Sequence, residues 1–210
     1  MKKLCVIFGA GEYYGCETLP AGEFSAVTAD GGCKAAKRMG VTPEFHIGDF
    51  DSCGGEPVTG CEIVRLKPEK DLTDTRAAIE LAISRGAEEF LLLGCTGGRT
   101  AHTVANIQTL ASLARRGYRA RMVGNGETFA CVHDGTVRFS PGSTGYVSVF
   151  ALSGKCTGVT EKGLKYELTD AALKDDDPIG VSNEFTGAPA EIGVKRGTLL
   201  IIYGNGGIEA

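Results

Sequence analysis

The sequence predicts a mainly parallel α/β domain followed by an antiparallel β-sandwich. In the first part, over residues 1–128, short β-rich runs alternate with amphipathic helical patterns, and this alternation is typical of a parallel sheet. In the second part, over residues 129–210, the helical period disappears. Short alternating runs separated by Gly, Pro, Asp and Ser take its place, which is typical of a sandwich or barrel of about seven strands. The boundary is expected between residues 125 and 135.

Each element is predicted from the spacing at which apolar residues recur along the sequence. Apolar and β-branched runs in the first part predict strands in KLCVIF, FSAVTA, EIVRL, EEFLLLG and RARMVG. Amphipathic helices are predicted in DTRAAIELAISRG and TVANIQTLASLARRG, which end at Gly86 and Gly117. In the second part, alternating runs predict strands in TFACVHD, TVRFSP, GYVSVFAL, KYELTD, GVSNEFTG, AEIGVKRG and TLLIIYG.

Composition narrows the class of protein. The chain has 210 residues, of which 42% are apolar, and none of its apolar runs reaches the roughly 18 residues of a membrane span. The first segment breaks into glycines too early for a signal peptide, so a cytoplasmic protein with no membrane partner is predicted. A net charge of −4 without Lys/Arg clusters argues against a nucleic-acid partner. Eight cysteines without a C-x-x-C pair predict reduced thiols.

Five carboxylates on three segments are candidates for holding a cation. Asp30 follows a predicted strand and precedes two glycines, at the sheet edge where open α/β folds bind ligands. Asp49 and Asp51 lie two apart, so an extended backbone would place them on one face. Asp71 and Asp74 lie three apart at the start of a predicted helix, again on one face. Such hard oxygen ligands suit Mg²⁺, and their number leaves room for a second ion or for a contact to an alcohol or a ribose.

A strand, a glycine-rich loop and a helix follow in EEFLLLGCTGGRTAHTVANIQTL. Gly97 and Gly98 allow backbone N–H groups to approach an anion closely, and the helix N-terminus behind them favours negative charge. Arg99 is placed to bind phosphate oxygens, while His102 and Asn106 share one helical face. The loop is a candidate phosphate site, although it does not have the G-x-x-x-x-G-K-[ST] pattern.

These candidates also have purely structural interpretations. Asp71 or Thr73 could cap a helix, and Asp30 before two glycines could be turn chemistry. Arg99 could be a solvated surface charge, and His102 could be a helix-capping or core imidazole.

The segment VIFGAGEYYG imitates a dinucleotide-binding fingerprint, with Asp30 about 20 residues further on. It departs from G-x-G-x-x-G because Tyr14 stands at a glycine position. Pro20 and Gly22 also fall where the crossover helix should run. A dinucleotide-dependent oxidoreductase is therefore the weaker interpretation.

Five motifs, in this order and spacing, closely resemble the thiamine pyrophosphokinase (thiamin diphosphokinase) family. They are ADGG, GDFDS at 48–52, KDLTD at 70–74, GGRTAH at 97–102 and VSNEF at 181–185, and the resemblance extends over nearly the whole chain. The resemblance implies a nucleotide- and metal-binding catalytic α/β domain and a thiamine-binding, dimerising β-sandwich. It also implies transfer of a pyrophosphoryl group from ATP to the hydroxyl of thiamine with Mg²⁺, giving thiamine diphosphate and AMP. A homodimer with the thiamine site at the subunit interface is expected.

The resemblance implies roles for single residues. The residues expected to bind Mg²⁺ and to act in catalysis, one of them as general base, are Asp49, Asp51, Asp71 and Asp74. The residues expected to hold ATP are Asp30, Lys70, Thr73, Gly97, Gly98, Arg99 and His102. The residues expected to hold the thiamine rings are Ser182 and Asn183.

One position departs from the family pattern, because Ala101 stands where the family's Arg-x-Asp-His motif has Asp. Two other functions therefore stay open at this point. One is a different Mg²⁺-dependent ATP pyrophosphokinase or kinase, against which VSNEF argues. The other is a catalytically weakened protein that binds thiamine or a nucleotide.

Overall fold

The structure is a computed structural model that describes residues 1–48, 60–65 and 72–204. The chain divides into two compact units, here called the N-terminal unit (Met1–Thr109 with Tyr118–Asn125) and the C-terminal unit (Leu110–Gly117 with Gly126–Ala210). A single helix, Thr100–Arg115, crosses the division. The division into compact units therefore does not test the predicted domain limits of 1–128 and 129–210. These limits stay a prediction.

The N-terminal unit is built on parallel strands. They are β1 (Leu4–Phe8), β2 (Ser25–Ala29), β3 (Phe45–Ile47), β4 (Glu62–Val64), β5 (Glu89–Leu93) and β6 (Arg119–Val123). Their order is β6-β5-β1-β2-β3-β4, and every pair in this series is parallel. The series from β1 to β4 grows in one direction, whereas β5 is added on the other side of β1. Ligands of open α/β sheets bind at such a reversal, outside the carboxyl ends of the strands.

In the described ranges, three helices accompany these strands: α1 (Gly32–Arg38), α2 (Asp74–Ser84) and α3 (Thr100–Arg115). Two of them confirm predicted helices, with ends that differ by a few residues. Sequence patterns missed α1 and β3 because an element of seven or three residues is too short to show a period.

The core of the N-terminal unit explains why its strands were predictable. Val6 and Phe8 of β1 pack with Ala26 of β2 and with Leu91 and Leu93 of β5. All five residues of β2 are buried, as expected of a parallel strand that is covered on both faces and reads as a continuous apolar run. Burying one large side chain of this kind stabilises the fold by about 1.5–3 kcal/mol.

The C-terminal unit contains two antiparallel sheets. Its strands are β7 (Glu127–His133), β8 (Thr136–Phe139), β9 (Tyr146–Ala151), β10 (Lys155–Lys162), β11 (Leu168–Lys174), β12 (Asn183–Glu184), β13 (Ala190–Gly193) and β14 (Thr198–Gly204). One sheet has the order β12-β9-β14-β7, and the other has the order β11-β10-β13-β8. Sequence patterns missed β10 because the register shifts around Gly158, whose positive φ of 67° interrupts the alternation.

Inward-facing residues of the two sheets form one core. Val149 and Ile201 from one sheet share a buried cluster with Val159 and Ile192 from the other. The ring centroid of Phe139 in β8 lies 5.1 Å from that of Tyr203 in β14, so an aromatic pair also joins the sheets. The predicted β-sandwich is confirmed.

The remaining composition-based predictions have different outcomes. Among the described residues, reduced thiols are found at Cys5, Cys16, Cys61, Cys95, Cys131 and Cys156. Cys33, in contrast, is disulfide-bonded, so the prediction of a reduced thiol is wrong at that position, because spacing along the chain does not reveal which thiols meet in the fold. Within the described ranges, no helix is both long enough and apolar enough to cross a membrane.

Candidate active site

A cavity of about 290 Å³ lies at the carboxyl ends of the parallel strands in the N-terminal unit. The loops after β1, β2 and β5 line it together with the starts of α2 and α3, so it lies at the reversal of strand order. The predicted site residues that line it are Asp30, Thr73, Asp74, Gly97, Gly98, Arg99 and His102. Residues from four distant segments therefore meet around one space.

The other predicted site residues are placed differently. Ser182 and Asn183 belong to the C-terminal unit, where Ser182 is exposed and Asn183 is buried at the start of β12. The remaining ones lie outside the described residues: Asp49, Asp51, Lys70 and Asp71. Their roles stay predictions.

Glycines after β1 allow two loops to pack closely. The N–H of Gly9 donates to the Leu93 carbonyl at 2.8 Å, and the N–H of Gly11 donates to the Gly94 carbonyl at 2.7 Å. A Cβ on Gly11 would lie 2.5 Å from the Thr96 carbonyl oxygen. The glycines that imitate a dinucleotide fingerprint thus serve a contact between the β1 and β5 loops.

Gly11→Ala is expected to lower the free energy of unfolding by about 1–3 kcal/mol, because backbone oxygens rather than flexible side chains block the added methyl. Chemical denaturation monitored by circular dichroism measures this change. Gly22→Ala is the matched control, since no described atom lies within 4 Å of its Cβ position. Equal stabilities of the two variants would contradict the contact.

Asp30 is held in an unusual backbone conformation. Its φ of 46° lies in the left-handed region, and its N–H donates to the Ile47 carbonyl at 2.8 Å. A Cβ at Gly48 would lie 2.5 Å from Asp30 Oδ1, so a glycine there leaves room for this carboxylate. Left-handed conformations of residues other than glycine cost roughly 1–3 kcal/mol and cluster at functional sites.

Asp74 and Thr73 begin α2 at the cavity. The Thr73 hydroxyl accepts the Arg76 N–H at 3.2 Å, so Thr73 is the N-cap of the helix as well as a lining residue. Asp74 is the first residue of α2, where the helix dipole stabilises its carboxylate by about 0.3–1 kcal/mol. The capping interpretation therefore applies to Thr73 without excluding contact with a ligand.

The glycine loop after β5 already binds a carboxylate. Gly97 and Gly98 have φ values of 77° and 60°, which favour glycine. The N–H of Gly98 donates to Glu12 Oε1 at 2.9 Å. This loop can therefore donate to an oxyanion, as its sequence predicts. Sequence reasoning missed Glu12, since the contact joins residues 86 positions apart.

Buried polar groups behind the loop shape it. Asn106 Nδ2 donates to the Cys95 carbonyl at 2.7 Å, which ties α3 to the loop. Burial raises the pKa of the Cys95 thiol to about 12, so this thiol is neutral and is not a nucleophile near pH 7. Arg99 and His102 are exposed at the cavity, and Ala101 is exposed on the first turn of α3.

Thr96 is a further cavity residue that sequence reasoning missed. It is only 6% exposed, and within the described part of the chain its hydroxyl has no hydrogen-bond partner. Burying an unpaired hydroxyl costs about 1–3 kcal/mol, which makes Thr96 a candidate ligand contact. No sequence pattern distinguishes Thr96 from the other residues of the loop.

Two of the five predicted carboxylates can be placed at the cavity, Asp30 and Asp74. Among residues 1–48, 60–65 and 72–204, no cluster of three or more His, Cys, Asp or Glu residues is found. Mg²⁺ commonly takes one or two carboxylates together with waters and substrate phosphates, so this donor set fits the ion.

Carboxylates and an oxyanion-binding loop around one cavity define an enzyme class that handles phosphate-bearing substrates. Family models narrow the class further. Residues 22–122 match "Thiamin pyrophosphokinase, catalytic domain", and residues 136–199 match "Thiamin pyrophosphokinase, vitamin B1 binding domain". The chain belongs to the thiamin pyrophosphokinase family.

Individual relatives agree with the family models. The thiamine pyrophosphokinase of Bacillus subtilis is 24% identical over 182 residues, covering 84% of this chain and 85% of the relative. The crystal structure of that organism's enzyme superposes with a TM-score of 0.83 at 21% identity, over 96% of this chain and 99% of the other. For the Geobacillus thermodenitrificans thiamin pyrophosphokinase the TM-score is 0.82 at 26% identity, over 96% and 97%.

Family and fold thus identify the reaction as ATP-dependent transfer of a pyrophosphoryl group to thiamine, and they do not favour a different pyrophosphokinase.

Proposed function

We propose that the cavity of the N-terminal unit binds the phosphates of ATP and that the transfer to thiamine takes place there. The observation that carries the proposal is that Asp30 and Asp74 line the same cavity as the glycine loop. One wall offers N–H donors for phosphate oxygens, and the other offers carboxylates for a counter-ion.

The described donor set supports Mg²⁺ as that counter-ion, with Asp30 and Asp74 as the carboxylates that line the cavity. Asp49, Asp51 and Asp71 join this set on the strength of the sequence motifs. When bound, Mg²⁺ would neutralise charge on the phosphates and orient them.

The chain's own groups then support one transfer step. The thiamine hydroxyl oxygen forms a bond to the β-phosphorus of ATP, while the bond from that phosphorus to the α–β bridging oxygen breaks and AMP leaves. A cavity carboxylate accepts the hydroxyl proton. Arg99, His102 and, from the motif, Lys70 neutralise charge on the phosphates, with the glycine-loop N–H groups as further donors.

Glu12 has a consequence for nucleotide binding. Its carboxylate already accepts the Gly98 N–H, so a phosphate oxygen can use that donor only after Glu12 moves away. Because Glu12 is exposed, its carboxylate can return to water at little cost. Glu12 thus accepts from the same N–H group that a phosphate oxygen would use.

Thiamine is proposed to bind at the segment that contains Ser182 and Asn183, in a homodimer whose subunits share the site. Large exposed apolar side chains lie near these residues in sequence and in strand pairing. Val181 precedes Ser182, Tyr146 pairs with Glu184 of β12, and the Tyr166 N–H donates to Asn183. Such exposed apolar side chains suit an aromatic ligand or a second copy of the chain.

A cytoplasmic location is part of the proposal.

Thr96→Val is expected to raise the KM for ATP about 10-fold and to raise the free energy of unfolding by about 1 kcal/mol. Binding weakens while the fold becomes more stable, because valine removes a donor from the complex and an unpaired buried hydroxyl from the free protein. Steady-state kinetics and chemical denaturation measure the two changes. An unchanged KM for ATP would show that Thr96 does not contact the nucleotide.

Mass analysis of the products formed from ATP, Mg²⁺ and thiamine tests the proposed function. Thiamine diphosphate and AMP are the expected products. Thiamine monophosphate with ADP would show transfer of a single phosphoryl group instead. Thiamine binding without product, measured by calorimetry, would indicate the weakened binding protein that Ala101 left open.

A further inference from the structure

The side-chain amide of Asn183 is fully occupied by protein groups. Its Nδ2 donates to Glu161 Oε2 at 2.9 Å and to the Tyr166 carbonyl at 2.6 Å. Its Oδ1 accepts the N–H groups of Tyr166 at 3.0 Å and of Glu184 at 2.9 Å. An amide has two donors and two acceptor lone pairs, so all four are in use. At 6% exposure, Asn183 has no hydrogen-bonding group left for a substrate.

The partner Glu161 is an unusual residue for the core of a β-sandwich. It lies in β10, is 1% exposed, and its burial raises the pKa of its carboxyl. Oε2 accepts from Asn183, whereas Oε1 has no hydrogen-bond partner in the described ranges. Leaving a buried oxygen unpaired costs about 1–3 kcal/mol. This cost opposes the stabilising bond to Asn183, which makes Glu161 a candidate for a functional role.

Ser182, next to this pair, has a strained backbone. Its φ of 63° lies in the left-handed region, and its N–H donates to Ser148 Oγ at 3.0 Å. Such a conformation persists only where its surroundings hold it. The following residue, Asn183, is fixed by four hydrogen bonds, and Ser182 itself remains exposed.

We infer that Glu161 and Asn183 are positioning residues, a buried clamp that holds Ser182 and the Tyr166 backbone in place for the ring system of thiamine. This inference rests on the proposed function, in which Ser182 contacts thiamine. It assigns Asn183 an indirect role and adds Glu161, which no sequence motif indicated. The clamp acts on the acceptor substrate, so it should affect thiamine and not ATP.

Glu161→Leu tests the clamp by removing the acceptor of the Asn183 amide. The expected result is a rise of at least about 10-fold in the KM for thiamine, because only a small fraction of the protein would then hold Ser182 in the conformation that binds the ring system. The KM for ATP should change less than twofold. Glu161→Gln keeps an acceptor oxygen at nearly the same place, so it should restore most of the thiamine affinity.

Glu191→Gln is the matched control. Glu191 is a glutamate of the same unit, but it forms an ion pair with the surface residue Arg138 and has no bond to Asn183. The control variant should leave both KM values unchanged. Asn183→Asp is the second clamp variant if Glu161→Leu does not fold. It keeps the shape but turns an oxygen toward Glu161 Oε2 and the Tyr166 carbonyl, so the same selective rise is expected.

The inference is overturned if a folded Glu161→Leu protein has an unchanged KM for thiamine. If only Asn183→Asp folds, an unchanged KM for thiamine in that variant overturns it. Equal rises for thiamine and ATP would overturn it as well. If the wild-type protein makes no thiamine diphosphate, the proposed function fails instead, so the two failures are distinguishable.

Discussion

Asp74→Asn is expected to lower kcat about 100-fold while the protein stays folded. Asp74 lines the cavity at the first residue of α2, so its carboxylate lies beside the proposed site of the counter-ion of the phosphates. Asparagine has the same size but cannot neutralise a cation, and the loss falls on the transition state. Part of the cost to the fold is the favourable charge at the helix N-terminus, about 0.3–1 kcal/mol.

Steady-state kinetics over a Mg²⁺ titration, together with thermal unfolding, measures both effects. Asp176→Asn is the control, since Asp176 is an exposed carboxylate of the C-terminal unit. Near-normal turnover of Asp74→Asn would remove this residue from the metal site. The sequence motif predicts the same loss for Asp51→Asn.

Mixing two inactive variants, Asp74→Asn and Ser182→Ala, is expected to restore about 25% of wild-type activity. If each thiamine site takes the phosphate cavity from one subunit and Ser182 from its partner, every mixed dimer contains one site with both defects and one intact site. Random exchange makes half of the dimers mixed, and half of the sites in those dimers are intact.

Subunit exchange must be verified independently, for example by native mass spectrometry of differently tagged chains. Each variant mixed with its own tagged copy is the control and should stay inactive. Exchange without any recovery of activity would place the whole site within one chain.

Much of the N-terminal unit could be predicted because its signals are local. β1, β2 and β5 read as nearly continuous apolar runs since both faces of the sheet are buried. The helices α2 and α3 show an amphipathic period over 11 and 16 residues. Asp30, Asp74 and the glycine loop follow or begin such elements, so parallel topology alone indicated that they would meet at one edge of the sheet.

Shorter and irregular elements could not be predicted in this way. β3 and α1 have too few residues to show a period, and the bulge at Gly158 hides β10 by breaking its alternation. Of the motif GVSNEFTG, which reads as a full strand, only Asn183 and Glu184 form one. Tertiary pairing decided how long each of these elements became.

By itself, the sequence determined the order of its α/β and β parts, the five family motifs and the types of residue that handle phosphate. The tertiary structure decided which distant groups meet. The strand order places the β1 loop against the β5 loop, so Glu12 reaches the Gly98 N–H. The pairing of β12 likewise sets Asn183 against Glu161. Periodicity reports only which face of an element is buried, whereas a side chain's hydrogen-bond partner depends on how separate elements pack.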